Sequence, residues 1–112
     1  EASSHASFKE MVIKAKEGDT RLMMKTVTPV RLLINKFAKD VAVAESRGAS
    51  REELVKLLGK GRSKQGMFVG DLDEGELEIG QVSALVKDIL PAGVIVEDIW
   101  REYEEALRHP VR

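Results

Sequence analysis

Only one segment of this 112-residue chain reads as a β-strand, and that segment limits what the chain can form by itself. It covers residues 20–27 and lies between Gly18 and Pro29. A single strand cannot pair its own backbone N–H and C=O groups, so it needs a second strand beside it. No second strand is predicted in this chain. The sequence therefore indicates part of a larger fold.

Apolar residues at helical spacing predict about five helices around that strand. The first helix has Ser4 or Ser7 as its cap. The second begins at Pro29, and its apolar stripe consists of Val30, Leu33, Ile34, Phe37, Val41 and Ala44. The third is short, and Ser50 with Glu53 has the spacing of a capping box at its start.

The second half of the chain is predicted to hold the other two helices. Four glycines between residues 59 and 70 favour a loop or a broken helix. An acidic run, residues 71–78, leads into a helix whose apolar residues are Ile79, Val82, Leu85, Val86 and Ile89. Pro91 separates it from a last helix with Val96, Ile99, Trp100, Tyr103 and Leu107 on one side. The predicted fold class is mainly α, with about five helices and one short strand.

Composition excludes several classes of protein. The chain is 43% hydrophobic and 33% charged, which is ordinary for a globular protein and argues against intrinsic disorder. It has no cysteine, so it is not a disulfide scaffold, and a cytoplasmic location is expected. No apolar run approaches the roughly 18 residues that a membrane-spanning helix needs, so no membrane partner is expected.

Charge is distributed unevenly along the chain. Residues 1–66 contain 14 Lys and Arg against 8 Asp and Glu, whereas residues 67–112 contain 4 against 11. Such a split marks either an anion-binding half or two parts that attract each other, and the spread of the cations over several helices favours attraction. The basic half offers only Phe8 and Phe37 for stacking on bases, both on apolar faces, so no nucleic-acid partner is expected.

Residue patterns for metal binding are weak. His5 and His109 lie near opposite ends of the chain, with no second ligand at a suitable spacing. Residues 71–75 begin like a calcium loop, but the glycine is one position early and Val82 stands where a bidentate Glu is needed. Glu76 and Glu78 are instead expected to lie at the positive end of the helix that follows.

The stretch from Gly59 to Gly66 has small residues, free amides and three cations, as a phosphate site would. It does not match the P-loop pattern, and no strand is predicted before it. A phosphate or nucleotide site and a solvated flexible loop both remain open as interpretations. No set of residues for nucleophilic catalysis can be assembled, so no catalytic residue is assigned.

Two blocks of sequence carry a family resemblance. The first comprises Asp19-Thr20, Pro29-Val30-Arg31 and Asn35-Lys36-Phe37. The second comprises Gly66-Met67-Phe68, Gly70-Asp71-Leu72 and the run from Glu74 to Val82. In this order and spacing they resemble the C-terminal part of the flavin-dependent nitronate monooxygenase (2-nitropropane dioxygenase) family. That family includes the flavin-containing enoyl-acyl carrier protein reductases.

The resemblance implies a C-terminal segment of a TIM (β/α)8 barrel that binds FMN, in some members with NAD(P)H. A whole barrel takes about 250 residues, so this chain would be about its last third, and it begins with Glu1 rather than Met. The implied division is a post-barrel-strand helix and short strand (1–28), a helical excursion with a Gly-rich loop (29–76), and the closing barrel helix with a C-terminal helix (77–112). The implied partner is the upstream barrel portion of the same protein, and a homo-oligomer is left open.

Gly80 and Gln81 match the family's Gly-Gln at the start of the last barrel helix, near the mouth for flavin and substrate. The resemblance therefore implies a cofactor-binding role for them, and a helix-capping amide is the alternative for Gln81. Many reductase members have Met-Ala just before this Gly-Gln, where this chain has Glu78-Ile79. The family's catalytic histidine lies upstream, and His5 is not that residue.

The implied function is therefore flavin-mediated redox chemistry on a small-molecule substrate. The main expectation is oxidation of nitronates by O2 through FMN, and the alternative is reduction of enoyl-acyl carrier protein by NAD(P)H. The 112-residue chain alone is expected to be inactive, since the FMN-phosphate glycines lie upstream. A second alternative is a free-standing helical interaction module without enzymatic activity.

Overall fold

The computed structural model of the protein describes residues 2–110. The described chain is mainly helical, with one two-stranded sheet. Its α-helices are α1 (Ala6–Lys14), α2 (Lys36–Ser46), α3 (Arg51–Leu58), α4 (Arg62–Lys64) and α5 (Ala92–Arg108), and its strands are β1 (Thr20–Met23) and β2 (Val30–Leu33). A π-helical turn (Gln65–Val69) continues α4, and a 3₁₀ helix (Gln81–Leu85) precedes α5.

β1 and β2 form an antiparallel hairpin, with Thr20 opposite Leu33 and Met23 opposite Val30. The prediction of a strand without a partner was therefore wrong, because its partner follows directly in the chain. Pro29 precedes a strand and not a helix, a place where its missing N–H disturbs no ladder. The apolar residues after Pro29 have helical spacing, but backbone pairing with β1 decides their conformation.

A third segment extends this sheet by a short bridge. The N–H of Leu33 donates to the carbonyl of Leu77 at 2.9 Å, and the N–H of Ile79 donates to the carbonyl of Arg31 at 3.2 Å. Glu78 thereby lies opposite Leu32 in antiparallel fashion. Residues 77–79 are thus held against β2, and they lead directly to Gly80 and Gln81.

Helix caps explain where the first three helices begin. The Nδ1 atom of His5 accepts from the N–H of Ser7 at 3.1 Å, so His5, and not the expected Ser4 or Ser7, caps α1. The capping box of α3 is confirmed, since Ser50 and Glu53 exchange side-chain to backbone bonds of 3.2 and 3.0 Å. α2 begins at Lys36, later than expected, because Asn35 is its cap.

Asn35 joins α2 to the acidic segment that lies far along the chain. Its Oδ1 atom accepts from the N–H of Ala38 at 2.9 Å, and its Nδ2 atom donates to the carbonyls of Leu72 and Gly75 at 2.9 and 2.8 Å. The side chain is buried and uses both donors and its acceptor. Asn35 therefore fixes residues 72–75 against the start of α2.

We expect Asn35→Ala to destabilise the fold by about 2–4 kcal/mol, the sum of a lost cap and two buried carbonyls left without a donor. Ser50→Ala is the matched control, since it removes a cap that has no distant partner, and it should cost about 1 kcal/mol. Chemical denaturation followed by circular dichroism measures both. Equal losses for the two variants would contradict the linking role of Asn35.

Two apolar clusters form the core, and neighbouring residues of β2 belong to different clusters. Leu32 lies in the first, with Met23, Met24, Phe37, Ala38, Val41 and Leu54. Leu33 lies in the second, with Phe8, Ala15 and Leu77. Successive residues of a strand point to opposite faces, so β2 lies between the two clusters. The hairpin therefore packs against both clusters, one on each face.

The prediction of a helix over residues 79–89 is wrong. A single 3₁₀ helix, Gln81–Leu85, occupies part of it, and the backbone is extended at Val86. Helices of this length are stabilised mainly by packing of an apolar face. Here Val82, Leu85 and Ile89 are exposed and only Ser83 is buried, so the described chain does not cover the apolar face that a longer helix would need.

The last helix is confirmed as α5, with 17 residues. Its large apolar side chains are exposed, Trp100 by 60% and Leu107 by 62%. They follow one face of the helix, where the Trp100 and Tyr103 rings lie 5.4 Å apart. No helix between residues 2 and 110 is both long and apolar enough to cross a membrane.

Candidate functional site

Gly80 and Gln81 lie at the end of the segment that pairs with β2. Gly80 has an extended backbone and precedes the 3₁₀ helix, whose Ser83 N–H donates to the Gly80 carbonyl at 3.1 Å. Both residues are exposed. Within residues 2–110, no hydrogen bond engages the side-chain amide of Gln81, so the capping alternative finds no support. The pair is positioned by the sheet and is open to contact from outside.

The second block of the family resemblance forms a close contact between two backbones. Gly66, in the π-helical turn, lies against Gly75. A Cβ atom on Gly75 would be 2.1 Å from the Cα of Gly66 and 2.4 Å from the carbonyl oxygen of Asp71. Both residues are buried. Glycine is therefore needed at both positions for a structural reason, since only a residue without a side chain permits the two backbones to lie so close together.

The acidic loop that begins like a calcium site is used for internal bonds. Oδ1 of Asp71 accepts from the N–H groups of Asp73 and Glu74 at 3.2 and 3.0 Å, and Oδ2 accepts from the Gln65 amide at 2.6 Å. These bonds, that to Glu74 first, hold the pKa of Asp71 below its ordinary value. Glu74 also pairs with Lys36. The carboxylates of this loop thus stabilise its turn and join the basic and acidic parts of the chain.

One of the three cations of residues 59–66, Arg62, is engaged inside the chain, whereas Lys60 and Lys64 are exposed. The Arg62 guanidinium donates to the carbonyls of Leu57, Leu58 and Glu74 at 2.9, 2.8 and 2.7 Å, and it lies 4.3 Å from the centre of the Phe37 ring. The guanidinium therefore caps the end of α3 and is not free for an anion. The expectation of a loop or a broken helix over residues 59–70 is confirmed as a broken helix, because residues 59–61 are not helical and α4 with the π-helical turn follows them.

Glu76 and Glu78 line a cavity of about 270 Å³, and one hydroxyl outside its lining contacts both carboxylates. Oγ of Ser63 lies 2.9 Å from Oε2 of Glu76 and 2.7 Å from Oε1 of Glu78. The remaining walls are mostly apolar, formed by Met24, Val27, Thr28, Pro29, Val30 and Leu58. The expectation that Glu76 and Glu78 lie at the start of a helix is wrong, since they contact α4.

The histidines do not form a metal site. His5 caps α1, its N–H donates to the carbonyl of Met67 at 2.7 Å, and His109 ends α5. No group of three or more metal-ligating side chains occurs in the described part of the chain.

Two places in the described chain bear on a flavin site. A flavin phosphate needs free backbone N–H groups or cations, and in the glycine-rich stretch Arg62 and Ser63 contact partners inside the chain, whereas Lys60 and Lys64 are exposed. Gly80 and Gln81 are accessible, but the two residues do not enclose a cavity.

Sequence reasoning missed Asn35, Arg62 and Ser63. Asn35 carried a signal, because an asparagine just before an apolar helical run is a strong cap. The other two carried none, since the partners of Arg62 include a carbonyl 12 residues away and those of Ser63 lie 13 and 15 residues away. Their roles depend on how α4 packs against the acidic segment.

Comparison with known proteins gives a structural likeness. No family model and no curated protein matches the chain. The structure of FabK from Thermotoga maritima is 29% identical, with a TM-score of 0.78 over 95% of this chain and 33% of that chain. A methionine-to-alanine mutant of the same protein is 28% identical, with a TM-score of 0.74 over 95% of this chain and 31% of that chain. The chain is thus similar, over nearly its whole length, to about a third of FabK, which supports the family resemblance seen in its sequence.

Proposed function

We propose that this chain is the C-terminal part of an FMN-dependent oxidoreductase that reduces enoyl-acyl carrier protein with NAD(P)H. The observation that carries the proposal is the likeness to FabK, a flavin-dependent enoyl-acyl carrier protein reductase, over 95% of the chain. The two sequence blocks that resemble the same family add support, because the structure gives several of their residues a role in one folded unit. The reductase is therefore preferred to the nitronate monooxygenase.

Oxidation of nitronates by O2 is the second candidate. It is favoured by Glu78-Ile79, which stand where many reductase members have Met-Ala before Gly-Gln. Glu78 is exposed and lies on the segment that leads to Gly80. A carboxylate at this point adds negative charge near the mouth of the flavin and substrate site that the resemblance implies. Under this second candidate, the protein therefore acts on a different substrate from that of the usual reductases.

In this proposal the part of the protein before this chain supplies the barrel and most of the FMN site. Residues 1–28 follow the last barrel strand, residues 29–76 form the excursion, and residues 77–112 return to close the barrel. Gly80 and Gln81 contact the cofactor region, since they are exposed and are held by the pairing of residues 77–79 with β2. The exposed face of α5 packs on the barrel.

The test uses the intact source protein. We expect it to be isolated with a flavin absorbance spectrum and to oxidise NADH or NADPH when an enoyl thioester is added. Oxygen uptake with a nitronate and without nicotinamide would support the second candidate instead. In either reaction FMN would carry the electrons, and the protein would bind and orient the substrates around it. A protein without flavin and without either activity would overturn both candidates.

The isolated chain is the control for this experiment. We expect no binding of FMN at micromolar concentration, because the glycine-rich stretch follows the helix α3 and not a strand, and its Arg62 guanidinium is engaged inside the chain. Titration of the chain with FMN, followed by flavin fluorescence, measures this. Stoichiometric quenching in the micromolar range would show that the described residues form a flavin site after all.

A further inference from the structure

The exposed apolar face of α5 is continuous with the segment that precedes this helix. One cavity of about 370 Å³ is lined by Val96, Ile99, Trp100 and Tyr103. A second cavity of about 380 Å³ lies between α5 and residues 85–90, and Ile99 lines it as well. Lys87 and Asp88, which also line the second cavity, have opposite charges. We call the residues that line these two cavities the α5 surface.

Acidic side chains border the apolar face of α5 along both of its edges. At 3.6 residues per turn, four of them follow the two edges: Glu97 and Glu104 beside Trp100, and Asp98 and Glu102 beside Ile95. Arg101 and Arg108 lie on the opposite side of the helix, where Arg101 pairs with Asp98 at 2.8 Å. The other three carboxylates have no ion-pair partner among residues 2–110. The edges of the apolar face therefore carry negative charge that the described chain does not compensate.

These acidic edges limit what can cover the α5 surface well. Two copies of the chain that pack through this face bring their carboxylates together, and like charges at an interface weaken such a contact. An anionic lipid surface attracts helices whose polar face is rich in Lys and Arg, and α5 has the opposite charge along its edges. A protein surface with an apolar centre and cationic edges fits best, because opposite charges then meet on both sides.

We propose that the part of the protein that precedes this chain covers the α5 surface with an apolar patch bordered by Lys or Arg. The proposal rests on the proposed function, which requires such a part, and on the likeness of this chain to only about a third of FabK. It adds to the packing of α5 on the barrel that charge selects and orients the contact. Because salt screens charges at a protein surface, the contact weakens as the ionic strength rises.

Hydrogen exchange of α5 in the intact source protein, measured by mass spectrometry on peptides from residues 92–108, tests the proposal. The reference is the isolated chain, diluted until light scattering shows a monomer. We expect the α5 amides to exchange at least about tenfold more slowly in the intact protein, since a covered helix opens less often. At about 1 M salt, where the screening length is about 3 Å, this protection should decrease.

Glu104→Lys and Glu105→Lys are the matched variants. The two residues are adjacent and exposed, but only Glu104 borders the apolar face. In the intact protein at low salt, Glu104→Lys should speed the exchange of α5 about fivefold, because repulsion replaces attraction to a cation. Glu105→Lys should change it by less than about twofold. In the isolated chain the two variants should exchange alike, which controls for effects on the helix itself.

The outcomes separate the possible covers of this face. Equal effects of the two variants on the intact protein would overturn the cationic border. Protection of α5 that grows with protein concentration would assign the cover to a second copy, and exchange as fast as in the isolated chain would show an open face, so either result overturns the proposal. The measurement needs neither flavin nor activity. Charge-dependent protection of α5 in a protein without flavin would therefore overturn the proposed function and leave this inference standing.

Discussion

Replacement of Gly75 by alanine is expected to destabilise the fold by about 3 kcal/mol or more, the upper range for overpacking. The new Cβ atom would be 2.1 Å from the Cα of Gly66, a backbone atom that cannot move aside alone. Any relief must displace the π-helical turn or residues 71–75, and the latter are held by Asn35. Domains are typically stable by about 5–15 kcal/mol, so this single methyl group removes a large part of the margin.

Gly80→Ala is the matched control for this variant. A Cβ atom on Gly80 meets nothing within 4 Å, and the Gly80 backbone has φ −79°, which alanine adopts freely. Its effect on the free energy of unfolding should stay within about 0.5 kcal/mol. Urea denaturation of the two variants beside the wild type measures the difference. A Gly75→Ala variant as stable as Gly80→Ala would show that the close contact of the two backbones is not needed.

The isolated chain is expected to self-associate through α5 and the segment before it. Trp100 and Ile99 are 60% and 62% exposed, and Val82 and Leu85 add 66% and 75%. Full burial of one such side chain is worth about 1.5–3 kcal/mol, so a contact that covers several of them is strongly favoured. Light scattering across a dilution series should therefore show a mass that rises with concentration, and a hydrophobic dye should bind.

Paired variants separate this apolar face from the rest of the helix. Ile99→Gln with Trp100→Gln should weaken association at least about tenfold, which corresponds to about 1.4 kcal/mol. Glu104→Gln with Glu105→Gln, on the same helix, is the control and should not weaken it. The upstream barrel portion should abolish both association and dye binding. A compact monomer that does not bind the dye would favour the free-standing interaction module instead.

Sequence reasoning located the elements whose signals are local. The capping box at Ser50 and Glu53 placed α3, and apolar spacing from Val96 to Leu107 placed α5. It failed where the same spacing fits two structures, since residues 30–34 read as a helix but pair with β1 as a strand. Pairing between strands depends on contacts that no single segment reveals.

The exposure of apolar side chains also depends on contacts between distant segments. Leu33 and Phe37 are only 2% and 1% exposed, because the two clusters cover them. Val94, Ile95 and Val96, consecutive residues of α5, are 39%, 37% and 66% exposed. Residues near the N-terminal hairpin find cover within the chain, and those of α5 do not. Whether an apolar helix face is covered within the chain could not be predicted from the spacing of its apolar residues alone.

The candidate site was predictable only in part. Gly80 and Gln81 came from a resemblance in sequence, and the structure shows that they are accessible without testing their contact with a cofactor. The Ser63–Glu76–Glu78 group was not predictable, because α4 and the acidic segment meet only in the folded chain. The raised pKa of Glu76 likewise depends on burial, which the sequence around it does not reveal.

The position of β2 between the two apolar clusters makes their unfolding interdependent. Loss of either cluster removes one side of the same four-residue strand, and with it the support of the other cluster. Separate melting of the N-terminal and acidic segments is therefore disfavoured, and amides that face the two clusters should exchange through one common opening. We therefore expect residues 6–79 to unfold as one cooperative unit, to whose stability α5 contributes little.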